Sequence, residues 1–215
     1  MTERLKIIFS EISPCKRFAD VGCDHGYIAK AVMDSGKAEK VIVSDISEKC
    51  LDKARGLLRE ELADGRAEAV VSDGFDKVIG VDEALIAGMG GEETVSILLR
   101  AKKLPDKLIL QPMKNADKVR RAAIELGFKV EKDYVFKSGG KFYDLIILKK
   151  GKDFLSEEEI EFGRTNLKEF PVAFGERIAY NIGTLENVIK KGNLSEKALK
   201  ETQNKIKRLG KYVKN

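Results

Sequence analysis

Short apolar runs alternate with helix-type patterns between about residue 16 and residue 150. Segments rich in Ala, Leu, Glu, Lys and Arg, with apolar residues at helical spacing, separate the first five runs. Alternation of this kind predicts a parallel sheet with helices on both faces. The runs that read as strands are RFADV, KVIVSD, AEAVVSD, DEALIAG, KLILQP, FKVEKDYVF and KFYDLIILKK.

The last two runs break the alternation. They are joined by the four residues from Lys137 to Gly140, and so short a connection can join only antiparallel strands. The sheet should therefore end in a β-hairpin, with one strand antiparallel to the rest. Seven strands with a terminal antiparallel pair are the arrangement of the class I methyltransferases. The predicted fold class is thus α/β, a Rossmann-like sheet of that class.

Helix signals fall into two groups. Within the alternating region, Ser47 should cap a helix that runs to Leu62, and Gly127 should end a helix that begins at Asp117. Beyond Gly151 only helical patterns remain, at about 156–170, 176–191 and 195–212. We therefore expect a methyltransferase domain over residues 1–151 and a small helical, coiled-coil-like domain over residues 152–215.

The positive charge is concentrated at the C-terminus. The net charge is +5, and residues 190–215 carry nine Lys or Arg and two Glu, hence +7, so the remainder is near −2. This distribution favours a polyanion partner such as RNA, although a solvated helix face is the alternative. No apolar run is long enough to span a membrane. The three cysteines (Cys15, Cys23 and Cys50) suggest reduced thiols in a cytoplasmic protein, and they lack the spacing of a metal site.

The stretch FADVGCDHGY, residues 18–27, predicts a strand, a glycine turn and a helix. It differs from the dinucleotide pattern G-x-G-x-x-G, because Asp24 stands where the second glycine belongs and an acid repels pyrophosphate. S-adenosylmethionine (SAM) suits this turn, since it has no phosphate and carries an ammonium and a sulfonium. Asp20 and Asp24 would face its methionine end, and Gly22 would let the backbone come close.

Two further acids end the next two strands. Asp45 is placed to accept the ribose hydroxyls of a nucleoside, and Ile46 could cover one face of the adenine. Asp73, followed by Gly74, could accept the adenine amino group. Each acid taken singly could instead be a helix cap or a turn former.

The loop after the fourth strand, AGMGG, lacks the Asp/Asn-Pro-Pro-aromatic motif of enzymes that methylate an exocyclic adenine amine. Its glycines leave room for a flat substrate. Such a loop suits a ring nitrogen with a free lone pair, which needs no proton removed before attack.

The motifs DVGCDHGY, GMGG and LILQP, in this order and spacing, resemble the bacterial tRNA (adenine-22-N1)-methyltransferase family. The resemblance implies SAM-dependent methyl transfer to N1 of that adenine, with tRNA as partner and the C-terminal helices helping to bind it; no stable protein partner is expected. Family members carry asparagine after the proline of QP, where this chain has Met113, and Asn115 is the nearest asparagine. The candidate catalytic residues are Asp24, His25 and Tyr27, and the candidate cofactor-binding residues are Asp20, Gly22, Asp24, Asp45, Ile46, Asp73, Gly74, Gly88 and Met89.

Two alternatives remain open at this point. One is an enzyme of the same fold that acts on another RNA, a protein or a small molecule. The other is a non-catalytic RNA-binding protein, against which the intact strand-end acids argue. A nicotinamide dehydrogenase is more remote because the glycine pattern fails.

Overall fold

A computed structural model describes residues 1–213 and is built around one sheet. The strands are β1 (Cys15–Val21), β2 (Ala38–Asp45), β3 (Ala67–Val71), β4 (Glu83–Ala87), β5 (Lys107–Gln111), β6 (Phe128–Ser138) and β7 (Lys141–Lys150). Their order in the sheet is β3-β2-β1-β4-β5-β7-β6. Strand β7 runs antiparallel to both of its neighbours, and the pairs among β1 to β5 are parallel. The predicted terminal hairpin and Rossmann-like fold class are confirmed.

Helices cover both faces of the sheet. Apolar residues of the helices at 3–10, 27–34 and 48–57 form one core layer, and those of the helices at 91–100 and 116–125 form the other. The helix at 3–10 was not predicted from the sequence. The helices are α1 (Glu3–Ser10), α2 (Tyr27–Asp34), α3 (Glu48–Leu57), α4 (Arg59–Ala63), α5 (Gly91–Arg100), α6 (Ala116–Glu125), α7 (Glu157–Phe162), α8 (Arg164–Glu169), α9 (Val172–Lys190) and α10 (Glu196–Gly210).

Three predicted helices have different limits in the structure. The helix expected from Ser47 to Leu62 is interrupted at Leu58. The helix expected over 156–170 is interrupted at Gly163, whose φ is 89°. A Cβ there would lie only 2.8 Å from Oδ2 of Asp133, so glycine is required where the chain passes this buried carboxylate. Helix α9 begins four residues earlier than Glu176, because Pro171 forms its N-cap and Gly175 lies inside it.

The segment after β7 is fastened to the edge of the sheet. Two side chains at the start of α8 accept hydrogen bonds from backbone N–H groups on the free edge of β6. Oγ1 of Thr165 accepts from the N–H of Asp133, and Oδ1 of Asn166 accepts from the N–H of Val135, each at 2.9 Å. An uncovered edge strand is a site for unwanted strand pairing, and these two side chains block part of it. The predicted boundary at residue 151 follows the last strand, but the division into two domains stays a prediction.

A fully buried arginine joins the sheet to the C-terminal helices. Nε of Arg120 donates to Oδ2 of Asp133 at 2.7 Å, and Nη1 donates to the carbonyl of Ile160 in α7 at 3.1 Å. Its Nη2 contacts Asp144 on β7, which also accepts from Nη1 of Arg177 in α9 at 2.6 Å. Beside this network, an apolar cluster packs residues of β6, α7, α9 and α10 together. Its buried members are Val135, Phe162, Phe174, Ile178 and Leu209.

Replacing Arg120 by methionine should destabilise the protein strongly. The change leaves the buried carboxylates of Asp133 and Asp144 short of a partner, and breaking a buried ion pair from one side costs about 3–5 kcal/mol. The measurement is the free energy of unfolding from urea denaturation.

The matched control is Arg121→Met, one residue further along α6. Arg121 pairs with Glu157 at 2.8 Å, but about half of its side chain is exposed, so its loss should cost far less stability than the loss of Arg120. Equal losses in the two variants would show that the buried network does not anchor the helices.

Candidate functional site

A cleft of about 490 Å³ opens at the carboxyl ends of β1 and β4. The connections that leave these adjacent strands lead toward opposite edges of the sheet. The chain goes from β1 to β2 on one side and from β4 to β5 on the other. Such a switch point is where open α/β sheets bind ligands. The floor of the cleft is the predicted glycine turn, with Asp20, Gly22, Asp24, His25 and Tyr27.

The glycine turn is shaped by three left-handed residues, Gly22 (φ 75°), Asp24 (φ 48°) and Gly26 (φ 72°). The left-handed conformation of residue 22 favours glycine, and a Cβ there would meet the end of the Met89 side chain in the loop that follows β4. The structure therefore brings together two predicted cofactor residues that are 67 positions apart in the sequence.

Asp20 is a buried acid without a cation. Only 6% of its surface is exposed, and no Lys, Arg or His among residues 1–213 forms an ion pair with it. Burial raises the pKa of Asp20 to about 7; the backbone N–H of Ala29 opposes this change and the charge of Asp45 adds to it. An added cation next to Asp20 would stabilise its charged form.

Asp24, His25 and Tyr27 form a contiguous group at the cleft. Nδ1 of His25 lies 2.7 Å from Oδ2 of Asp24, and its ring stacks on that of Tyr27 with centroids 5.4 Å apart and planes 7° apart. Desolvation acts to raise the pKa of Asp24, but the hydrogen bond and charge of His25, together with Lys53 at 3.6 Å, hold that pKa below its usual value. Asp24 thus presents an accessible carboxylate beside a flat aromatic surface.

Asp45 and Ile46 lie where the sequence predicts, at the end of β2. Oδ2 of Asp45 accepts the backbone N–H of Asp24 at 3.3 Å, which ties the second strand end to the glycine turn, and Oδ1 accepts that of Ser47 at 2.8 Å. Ile46 is 72% exposed although it is apolar, as a residue that covers a ligand would be. Their cofactor roles stay predictions.

Asp73 and Gly74 are engaged within the protein. Both oxygens of Asp73 accept from Arg100 in α5, at 2.6 and 2.9 Å, and this contact lowers the pKa of Asp73. A Cβ at Gly74 would lie 2.6 Å from Cγ2 of Ile97, so this glycine is required by packing. An adenine amino group would have to share Asp73 with Arg100, a competition that the sequence did not reveal.

The loops after β4 and β5 are held to each other by backbone hydrogen bonds. The N–H of Gly88 donates to the backbone carbonyl of Gln111, and the N–H of Met113 donates to that of Met89. The N–H of Gly91 donates to the backbone carbonyl of Lys114, and all three distances are 2.8–3.1 Å. This pairing fixes the glycine loop beside the cleft.

Asn115, the nearest asparagine to Met113, does not line this cleft. It lies at a second, larger cavity of about 840 Å³ between α6 and the C-terminal helices, which contains none of the predicted site residues.

Two walls of the cleft escaped the sequence analysis. One is α1 with its N-cap, which contributes Thr2, Arg4 and Leu5, and the other is the β6–β7 hairpin, which contributes Lys141 and Tyr143. No motif marks these residues, because only the tertiary packing of α1 and the position of β7 beside β5 bring them to the cleft.

A family model described as a methyltransferase domain matches residues 1–146. The chain belongs to the methyltransferase-domain family. A Mycoplasma pneumoniae protein named as a candidate tRNA methyltransferase is 30% identical over 155 residues, which cover 69% of this chain and 71% of that protein.

Solved structures resemble this methyltransferase along its whole length. Sp1610 of Streptococcus pneumoniae, described as a candidate tRNA (m1A22) methyltransferase, gives a TM-score of 0.90 at 25% identity, covering 100% of both chains. It has also been solved in complex with SAM. The B. subtilis M1A22 tRNA methyltransferase TrmK gives a TM-score of 0.85 at 20% identity over 100% of this chain and 99% of that one, which shows the common fold.

Within residues 1–213 of this methyltransferase, none of the helices has the length and apolar character that crossing a membrane requires.

Replacing Asp20 by asparagine should change how stability depends on pH in the ligand-free methyltransferase. Between its ordinary pKa of about 4 and its native pKa of about 7, the carboxyl holds its proton in the folded state and releases it in the unfolded state. Stability from this group is therefore lost as the pH rises through that window. The free energy of unfolding of Asp20→Asn, relative to the wild type, should increase between pH 5 and pH 8.

The measurement is urea denaturation at the two pH values, with the exposed Asp76→Asn as control. Parallel pH profiles for wild type and Asp20→Asn would contradict the assignment of a raised pKa to Asp20.

Proposed function

We propose that this methyltransferase transfers a methyl group from SAM to N1 of the adenine at position 22 of tRNA. The observation that carries the proposal is the likeness to Sp1610, which runs the full length of both chains and includes the C-terminal helices. The proposed substrate places the activity in the cytoplasm.

The cleft fits the charge of SAM. Asp20 is buried without a cation, and the ammonium at the methionine end of SAM would supply one. The same acid would repel a pyrophosphate, which argues against a dinucleotide. Gly22 and Met89 would border the methionine end of SAM. Asp45, Ile46 and Asp73 would contact its nucleoside. Gly74 and Gly88 would contribute the backbone that adjoins these residues. When bound, SAM supplies a methyl group on a sulfonium, which makes it a strong electrophile.

Asp24 is the proposed partner of the adenine. Its carboxylate is accessible, and accepting a hydrogen bond from the exocyclic amine would orient N1 and stabilise the positive charge that methylation gives the base. His25 and Tyr27 offer a stacking surface for the ring. Adenine N1 has a free lone pair, so catalysis can depend largely on holding the reactants in line.

Helix α10 provides a candidate surface for the tRNA backbone. Lys200, Lys207 and Lys211 recur at i, i+7 and i+11, which places them on one helical face, opposite the buried Leu209. All three are exposed and form no ion pair with a described residue. Arg208 differs, because it pairs with Glu161 of α7 at 2.5 Å and lies over the ring of Phe162. We therefore propose that Arg208 attaches α10 to α7 and that the three lysines contact RNA.

The proposed function is tested with labelled SAM and two tRNA transcripts that differ only at position 22, one with adenine and one with guanine. We expect label in the first transcript and none in the second. Equal label in both would place the modification elsewhere, and label in neither would favour a protein or small-molecule substrate, or a non-catalytic protein.

Replacing Asp24 by asparagine should lower kcat by roughly 10- to 100-fold, because one charge-assisted hydrogen bond is worth about 1.5–3 kcal/mol. Asparagine tolerates the positive φ at this position and can still accept from His25, so the fold of the turn is kept. SAM affinity, measured by calorimetry, should change little.

The exposed Asp34→Asn serves as control and should leave both quantities unchanged. Should the affinity of Asp24→Asn for SAM fall by the same factor as kcat, Asp24 would belong to the cofactor site and not to the base.

Replacing Lys200, Lys207 and Lys211 together by glutamine should weaken tRNA binding and flatten its salt dependence. Each lost phosphate contact reduces the log–log slope by about 0.7–0.9. Glutamine is a good helix former, so α10 should persist. The measurement is tRNA affinity across a salt series, with SAM affinity as a second readout.

The matched control carries three glutamines in place of exposed lysines near the amino ends of β2 and β5, namely Lys40, Lys102 and Lys103. If the control and the α10 variant give the same slope, the lysines of α10 form a solvated face and do not bind RNA.

A further inference from the structure

Tyr180 in α9 is a large aromatic residue that the rest of the chain leaves open. It is 65% exposed, and its hydroxyl group has no hydrogen-bond partner among residues 1–213. Tyrosine is enriched at interfaces because its ring can be covered by a partner while its hydroxyl forms a hydrogen bond. In this structure neither end of the side chain has such a contact, so the residue is available to a molecule outside the chain.

The tip of the β6–β7 hairpin holds the ring of Tyr180 in place without covering it. The ring centroids of Phe142 and Tyr180 lie 6.1 Å apart with planes tilted by 51°, so the two rings touch but do not stack. Phe142 is itself held by Lys137, whose Nζ lies 5.3 Å from the centre of its ring and pairs with Glu176 of α9 at 2.7 Å. The exposed ring of Tyr180 is therefore fixed between two elements of the fold.

The next turn of α9 leaves the space beside Tyr180 free. Residues three and four positions further along a helix lie next to it on the helix surface, and these are Gly183 and Thr184. A Cβ at Gly183 would meet no atom within 4 Å, so packing does not require this glycine, although glycine inside a helix lowers its stability. The hydroxyl of Thr184 donates to the carbonyl of Tyr180 at 2.9 Å and so lies back against the helix. A flat group can reach the ring from this side.

The hairpin joins this surface to the cleft. Because side chains alternate along β7, Lys141 and Tyr143 face the cleft while Phe142 between them packs toward α9. Lys141 is exposed and forms no ion pair with a described residue, so its ammonium is available to a phosphate. An RNA strand that leaves the cleft past Lys141 would cross the tip of the hairpin and arrive at Tyr180.

We propose that Tyr180, supported by Phe142 and bordered by Gly183, stacks on one unpaired base of the tRNA outside the cleft and forms a second base-binding point beside the methylation site. This proposal rests on tRNA as the substrate in the proposed function. Aromatic rings next to cationic backbone contacts hold unpaired bases in many RNA-binding proteins, and every base offers a face that can stack. The contact differs from that of the α10 lysines, because it is made to a base and releases no counterion. The competing occupant of this surface is a second copy of the chain.

Tyr180→Ala should weaken tRNA binding roughly 5- to 100-fold, the range expected when one stacked base loses its aromatic partner. The log–log slope of affinity against salt should stay that of the wild type, since no phosphate contact is lost. Tyr180→Phe keeps the ring and should bind tRNA about as the wild type does. For all three proteins, kcat at saturating tRNA and the affinity for SAM should agree.

Gly183→Ala separates recognition from folding. Alanine favours a helix, so this variant should be at least as stable as the wild type in urea denaturation, while the added methyl group narrows the space beside Tyr180 and should weaken tRNA binding. Gly56→Ala in α3, where a Cβ also meets no atom within 4 Å, is the matched control and should keep wild-type tRNA affinity. Phe154→Ala removes a ring that is 80% exposed beyond the far end of β7, and it should have no effect on tRNA binding either.

Three outcomes would overturn the proposal. One is wild-type tRNA affinity in Tyr180→Ala or in Gly183→Ala. Another is a loss in Tyr180→Ala that comes with a flatter salt slope, which would mean that phosphate contacts were lost instead. The third is a wild-type dimer in sedimentation that Tyr180→Ala converts to monomers, which would assign the ring to a second copy. Failure of the proposed function looks different, because the wild type itself would then not methylate tRNA.

Discussion

The reversal of strand order between β1 and β4 is the constraint on which the site depends. The chain builds outward from β1 through β2 to β3, then returns to β4 and builds toward β5 and the hairpin. The two connections leave a crevice above the adjacent strand ends, and a tight turn must begin there. Gly22 adopts the left-handed conformation of that turn, and Asp20, one residue inside β1's end, is left buried beneath it.

The buried network around Arg120 extends this arrangement to the C-terminal helices. Because Asp133 and Asp144 belong to the hairpin while Ile160 and Arg177 belong to α7 and α9, the helices are attached to the same sheet that carries the site. The lysine face of α10 is then presented at a fixed position relative to the cleft. In the proposed function, tRNA would use both surfaces, one for its backbone and one for a base swung out of its stack.

The sequence was informative where function depends on local pattern. The seven strands, the hairpin, the caps at Ser47 and Gly127 and the acids at strand ends follow from residue type and spacing, and the structure has the strands and caps where expected. Contacts between distant segments were not predictable. Arg4 reaches the cleft through the packing of α1, Asp73 is taken by Arg100, and Gly163 interrupts a helix because of a carboxylate thirty residues earlier.

We propose that this site methylates a ring nitrogen chiefly by holding the reactants in line, while the Asp24 carboxylate accepts a hydrogen bond from the exocyclic amine. The most direct test is to methylate tRNA with the wild-type enzyme, digest it at neutral pH to prevent rearrangement, and separate the nucleosides by chromatography with mass detection against standards. We expect N1-methyladenosine as the methylated product. N6-methyladenosine, or methylation of another base, would contradict it.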